Sequence, residues 1–321
     1  MDDNRARTDP LDPECIGRRP SNGVRAPDLE NALHHFLDDL EARNLARATL
    51  RTYSATLGSF SNFVAGQGLQ AVTEVTPDVL RDWRNSLTRT YQPSTQTRML
   101  TQIKAFARYL VERNWLLTSP ASALRPPRYD RKPTLPFDVE EMREILRVCE
   151  STPDSRALVL LMRYSGLAIS DACTLRKDAL SDGILFLHRA KTGEPVTVPV
   201  PDCVIQALSS FPNVSEEHFF WTGKCLKETV TKRWGARLKL KFRTAGITGG
   251  RPHRFRDTFA VELLKAGTSM EDVSVLLGHS SIRVTEQYYA PWCPRRRERL
   301  NSIVMRAWSH DPLLVELHTQ T

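Results

Sequence analysis

His253 and Arg256 stand three residues apart, His279 closes the apolar run VSVLLG, and Tyr288 and Tyr289 follow nine and ten residues later. A cation, imidazoles and a phenol suit chemistry at a phosphate, because an anionic oxygen needs donors and a tyrosine hydroxyl can attack phosphorus. On a helix His253 and Arg256 share a face. Gly278 after its apolar run reads as a helix stop that presents His279 just beyond the last turn. All of these groups lie between Pro252 and Trp292, so a few helices could gather them.

Composition narrows the classes of partner. The 321 residues are long enough for two cores, and a net charge of +8 favours an anionic partner, of which nucleic acid is the commonest. The six cysteines are scattered without a CxxC pair, which argues against a disulfide frame or a zinc site. The polar N-terminus is unlike a signal peptide, and the longest apolar run, Ala157 to Met162, is far too short to span a bilayer. Absence of a glycine-rich phosphate loop argues against a nucleotide-driven enzyme.

The elements that must position the site are mostly helical. Residues 1–26 lack periodicity and read as a disordered tail. Residues 27–121 carry four amphipathic helices, one opened by Thr76-Pro77 and another by Pro93, with Arg98, Lys104 and Arg108 at polar positions of the fourth. Residues 122–135, with three prolines and the cations Arg128, Arg131 and Lys132, read as an extended linker able to lie along a phosphate backbone. In residues 136–310 helices resume, with Ser170-Asp171 expected to cap a short helix ending at Leu175. The period then changes to two, with Ile184, Phe186 and His188 on one strand and Val196, Val198 and Val200 on the next. Lys191 stands at the tip of that hairpin. A basic helix from 228 to 245 offers Lys232, Arg233, Arg237, Lys239 and Lys241 to a polyanion. Residues 311–321 end in an apolar segment too short to be stable alone, so it must dock on something.

Taken together, LPFDVEEMREIL, RYSGLAISDACTL, HRAKTGEPVTVPV, HRFRDTFA and LLGHSSIRVTEQYY resemble the tyrosine recombinase (phage-integrase) family over residues 28 to 310. The resemblance implies an all-α core-binding domain of SAM-like type followed by a mixed, mainly α catalytic domain with a small β-hairpin. It implies site-specific DNA recombination, in which a tyrosine attacks the scissile phosphate, leaves a 3′-phosphotyrosyl link and frees a 5′-hydroxyl. It implies no cofactor, double-stranded DNA and further copies of the chain as partners (a dimer on a site, a tetramer in synapse), and compatibility with accessory DNA-bending proteins. The expected location is cytoplasmic, on the nucleoid. By matching position, Tyr288 is the nucleophile with Tyr289 as the alternative, His253 accepts a proton or donates to the phosphate, Arg256 binds non-bridging oxygens, His279 donates to the phosphate, and Lys191 protonates the leaving oxygen.

The chain departs from the family pattern at Ala168, where the first of two arginines belongs. Alanine cannot donate to a phosphate, and removing one preorganised donor elsewhere costs about 10²–10³ in rate. Two accounts fit: an Arg→Ala substitution made to hold a DNA complex before cleavage, favoured because the remaining residues are intact, or a chain that binds DNA and cleaves poorly. Asp257 is a milder departure, at a position where many relatives carry histidine. The competing readings are a type IB topoisomerase-like DNA-relaxing enzyme, a non-catalytic DNA-binding protein on a recombinase fold, and a helical interaction module.

Overall fold

The structure is a computed structural model that describes residues 26–129, 135–212 and 214–309, without the side chains of 294–300. The chain divides into two compact units, Met1–Arg131 and Lys132–Thr321.

The first unit is a helical bundle of α1 (Leu29–Ala42), α2 (Arg47–Ala65), α3 (Pro77–Leu87) and α4 (Pro93–Glu112). Asp28 caps α1 through Asn31 N, and Thr76 caps α3 through Val79 N with Pro77 in the first turn. Phe36, Phe60, Trp83, Phe106 and Leu110 meet at the centre, each worth about 1.5–3 kcal/mol of burial. Leu124, inside the segment expected to be an extended linker, is buried in this core, so the first unit extends past residue 122. Arg131, Lys132 and the apolar 313–317 tail lie outside the described residues.

The second unit begins with α5 (Val139–Val148), α6 (Pro153–Ser165) and α7 (Ile169–Cys173). An antiparallel sheet of β1 (Leu180–Ser181), β2 (Ile184–His188) and β3 (Pro195–Pro199) follows, in the order β1-β2-β3. It continues with α8 (Asp202–Ser209), α9 (Lys227–Thr244), α10 (His253–Lys265), α11 (Met270–Leu277), α12 (Ile282–Tyr289) and α13 (Pro294–Ser309). The mainly helical class with one small sheet, expected from the sequence, is what the structure has. Among the described residues no helix is long and apolar enough to cross a membrane.

One local expectation is corrected. Ser170 and Asp171 lie inside α7 rather than before it: Ala168 is the N-cap, without a side-chain cap bond. Asp171 is drawn instead to the β2–β3 turn, where its carboxylate accepts from Ala190 N and from Arg189. On β2 the inward residue is Leu185, fully buried, while Ile184 and Phe186 are exposed. The apolar run ILFL fills both faces, so alternation alone could not choose between them.

A core of α5–α9 residues, including Leu158, Leu161, Val204 and Phe242, forms the body of the unit. A second cluster links the hairpin to the last helices: Val196 and Val198 pack with Phe259, Leu264, Val273, Leu277 and Tyr289. This smaller cluster is the floor on which the candidate site is built.

Candidate phosphate site

The C-terminus of α11 is the anchor. Gly278 caps it in the left-handed conformation (φ 62°). A Cβ at Gly278 would lie 2.7 Å from Val196 Cγ2 and 2.8 Å from Arg189 Cγ, so the position demands glycine twice over, for its dihedral and for its neighbours. The last carbonyls of a helix lack intrahelical donors and carry the negative end of its dipole. Here arginines supply the donors. Arg256 Nη2 donates to Leu277 O at 2.7 Å, and Arg189 Nη2 donates to Leu276 O at 3.3 Å. Arg256 also holds Gly166 O at 2.9 Å through Nη1. Gly166 closes α6 with φ 63°, and the Phe259 ring lies where its Cβ would be. Buried on α10, Arg256 thus ties α6, α10 and α11 together.

His279 leaves this corner half-buried, with Nδ1 at 2.9 Å from the Oγ1 of fully buried Thr285. Burial, then the charges of Arg256, Arg189, His253 and Lys191, push its pKa down to about 4, so the ring is neutral near pH 7.

The hairpin tip is tied to the same corner. Arg189 N donates to Glu194 O and Gly193 N to Arg189 O, closing the turn that carries Lys191. Thr192 Oγ1 donates to Gly278 O at 3.2 Å. Lys191 is itself exposed, between the two anchored residues Arg189 and Thr192.

His253 opens α10 with 58% of its side chain exposed, Nε2 at 3.5 Å from Asp257 Oδ1 one turn on. Desolvation and the nearby cations lower its pKa against the pull of Asp257, leaving a neutral ring able to accept a proton. It shares a helix with Arg256, but the two differ in burial: Arg256 is 7% exposed.

The tyrosines part company. Tyr289 is 2% exposed and donates to Asp257 Oδ1 at 2.9 Å. Burial first, then the Asp257 carboxylate, raise its pKa far above that of a free phenol, which disarms it as a nucleophile. Tyr288 is 43% exposed on the same helical turn. Asp257, at 1% exposure, is therefore the clamp that orients α12, a role the sequence did not signal.

Ala168 is half-buried at the start of α7, one turn before Asp171. Of the basic surface candidates, Arg98 and Arg108 are exposed on α4 with Lys104 half-buried, and Arg128 is exposed. Lys232, Arg233 and Lys239 are exposed on α9. Arg237 and Lys241 are half-buried on the same helix and bonded within the unit. Arg237 grips Asp154 with two bonds of 2.5 and 2.7 Å, and Lys241 donates to Val148 O at 3.0 Å. A count of basic residues along a helix cannot reveal these bonds.

The Phage integrase family profile matches residues 136–292, and the profile of the Phage integrase N-terminal SAM-like domain matches residues 33–114. Tyrosine recombinase XerC of Xanthomonas campestris pv. campestris (strain B100) is 29% identical over 279 residues, covering 84% of this chain and 86% of the relative. Tyrosine recombinase XerC of Staphylococcus aureus (strain MSSA476) is 27% identical over 273 residues, covering 79% and 89%. In fold the chain is similar to a lambda integrase (75–356) dimer bound to a COC′ core site, with a TM-score of 0.67 at 18% identity over 81% of this chain and 95% of the other. It is similarly close to a lambda integrase tetramer bound to a Holliday junction, with a TM-score of 0.67 at 17% identity over 81% and 80%.

Proposed function

Because the chain belongs to the phage integrase family of tyrosine recombinases, we propose that it recognises a specific DNA site, cleaves one strand through Tyr288 and passes that strand to a partner end. The observation that carries this reading is the division of labour between adjacent tyrosines: Tyr289 is locked to Asp257, and Tyr288 is left exposed on a helix whose neighbours hold Arg256, His279 and the Lys191 turn at one helix end.

In this reading the Tyr288 oxygen attacks the scissile phosphorus while neutral His253 takes the phenolic proton. Arg256 and His279 face the non-bridging oxygens, and Thr285 Oγ1 is assigned as donor to His279 Nδ1, 2.9 Å away, so that Nε2 carries the proton for the phosphate. Lys191 gives its proton to the departing 5′-oxygen. The P–O5′ bond breaks as the P–O bond to Tyr288 forms, so the energy of the diester is kept, and a 5′-hydroxyl from another strand reverses the sequence. Solved relatives of the same fold are a dimer on a core site and a tetramer on a Holliday junction, and this chain is assigned the same modes of assembly. The exposed cations of α4 and α9 serve as phosphate contacts.

Ala168 lowers the rate of cleavage without removing the capacity to bind. The alternative it favours is a DNA-binding protein that does not cleave. A duplex recovered by the full chain from a randomised library and nicked near the cleavage point separates the two. Ala168→Arg should raise the rate of covalent adduct formation. No adduct from either protein would leave the non-cleaving alternative standing.

A further inference from the structure

Arg189 is a buried cation that the scheme above does not use. It is 4% exposed and stands at the first corner of the β2–β3 turn, two residues before Lys191. Its bonds are poor for a buried arginine. Nη1 reaches Asp171 Oδ2 at 3.4 Å, Nη2 reaches Leu276 O at 3.3 Å, and Nε has no hydrogen-bond partner among the described residues. The same chain shows what a structural pair looks like: Arg237 closes on Asp154 with two bonds of 2.5 and 2.7 Å. An arginine fork offers five donors, and leaving them half-used out of water is costly.

Arg189 and Arg256 hold the consecutive carbonyls of Leu276 and Leu277, immediately before Gly278 and His279. A Cβ at Gly278 would lie 3.2 Å from Arg189 Nε, so the unpartnered nitrogen faces the backbone that presents His279. Asp171, the partner of Arg189, lies on α7, the short helix whose N-cap is Ala168.

We propose that Arg189 supplies the second positive charge at the scissile phosphate that position 168 does not, acting with Arg256 from the hairpin side. Buried as it is, it is a positioning residue: it holds the carbonyls at the end of α11 and acts on the phosphate through its charge. Two guanidiniums this close suppress each other's protonation, yet Arg189, its pKa lowered by burial and by Arg256 to about 10, stays charged at neutral pH. The inference rests on the recombinase reading.

The test compares scissile phosphodiester and neutral methylphosphonate linkages in the selected nicked duplex, because a linkage without charge has no need of a second cation. Arg189→Gln should slow adduct formation on the phosphodiester by about 10²-fold and on the methylphosphonate by less than about fivefold. Arg189→Lys, which keeps the charge and loses the fork, should stay within about tenfold of the unaltered chain on both. Equal losses on both linkages, or no loss on the phosphodiester, would make Arg189 a scaffold residue only and overturn the proposal. If the Gln variant melts below the assay temperature, the Lys variant decides, and a large loss on both linkages then refutes it. An unaltered chain that forms no adduct on the phosphodiester while Ala168→Arg does would overturn this proposal and leave the recombinase reading intact. No adduct from either protein on either linkage would end both.

Discussion

The two neighbouring tyrosines should respond oppositely to the same change. Tyr289→Phe removes one oxygen, and with it the bond to Asp257 at 2.9 Å. Asp257 is 1% exposed and its Oδ2 already lacks a partner among the described residues, so the variant leaves a buried carboxylate without this bond, with His253 Nε2 at 3.5 Å. A hydrogen bond to a charged group contributes about 1.5–3 kcal/mol, and a unit of this size loses about 2–4 °C of Tm per kcal/mol, so a fall of about 3–12 °C is expected. Tyr288→Phe removes the same oxygen from a side chain 43% exposed and should move Tm by no more than about 1–2 °C, as surface changes within about 0.5 kcal/mol do. Thermal melts of the second unit measure the first effect, and trapping of protein on the nicked duplex measures the second. Tyr288→Phe should abolish the adduct, whereas Tyr289→Phe should retain it below its melting range. The reasoning is refuted if Tyr288→Phe costs as much stability as Tyr289→Phe, or if the adduct survives loss of Tyr288 and disappears with Tyr289.

Other outcomes follow from the same geometry. Gly278→Ala forces a Cβ into contacts of 2.7 and 2.8 Å at φ 62°, and should cost at least about 1–3 kcal/mol of stability in a chemical denaturation series while displacing His279. His279 has a folded pKa of about 4, below its unfolded value, so its contribution to stability is present above about pH 6.5 and is lost as pH falls toward 4. His279→Gln should flatten that part of the pH–stability curve, and an unchanged slope would show that another group titrates there. Lys191→Ala should slow cleavage of an ordinary strand by about 10²-fold or more and spare a strand whose 5′-bridging oxygen is replaced by sulfur, since a thiolate leaves without a proton; equal losses would remove Lys191 as the acid. Raising salt from 50 to 200 mM should weaken DNA binding steeply, and charge-removing changes at Lys232, Arg233 and Lys239 should shallow that dependence while Arg237→Gln should act chiefly on stability.

What the sequence determined by itself was the local chemistry and the class of fold. Helical periodicity, Thr76 and Pro77 at one cap, the glycine stop at 278 and the alternation of Val196 and Val198 are signals carried by residues within a turn or two of one another, so they need no tertiary knowledge. The spacing of His253, Arg256, His279 and Tyr288 was likewise legible. Burial and pairing across the chain were not. Adjacent tyrosines look equivalent in a string of letters, and only the packing of α12 against α10 gives one of them to Asp257 and leaves the other open. Arg237 and Lys241 look like surface cations until Asp154 and the Val148 carbonyl, more than eighty residues away, claim them. Arg189 gave no signal beside the lysine at the hairpin tip. Its place next to Arg256 exists only because the end of α11 lays two consecutive carbonyls between strands and helices distant in the chain, and a helix end buried without donors would not be stable.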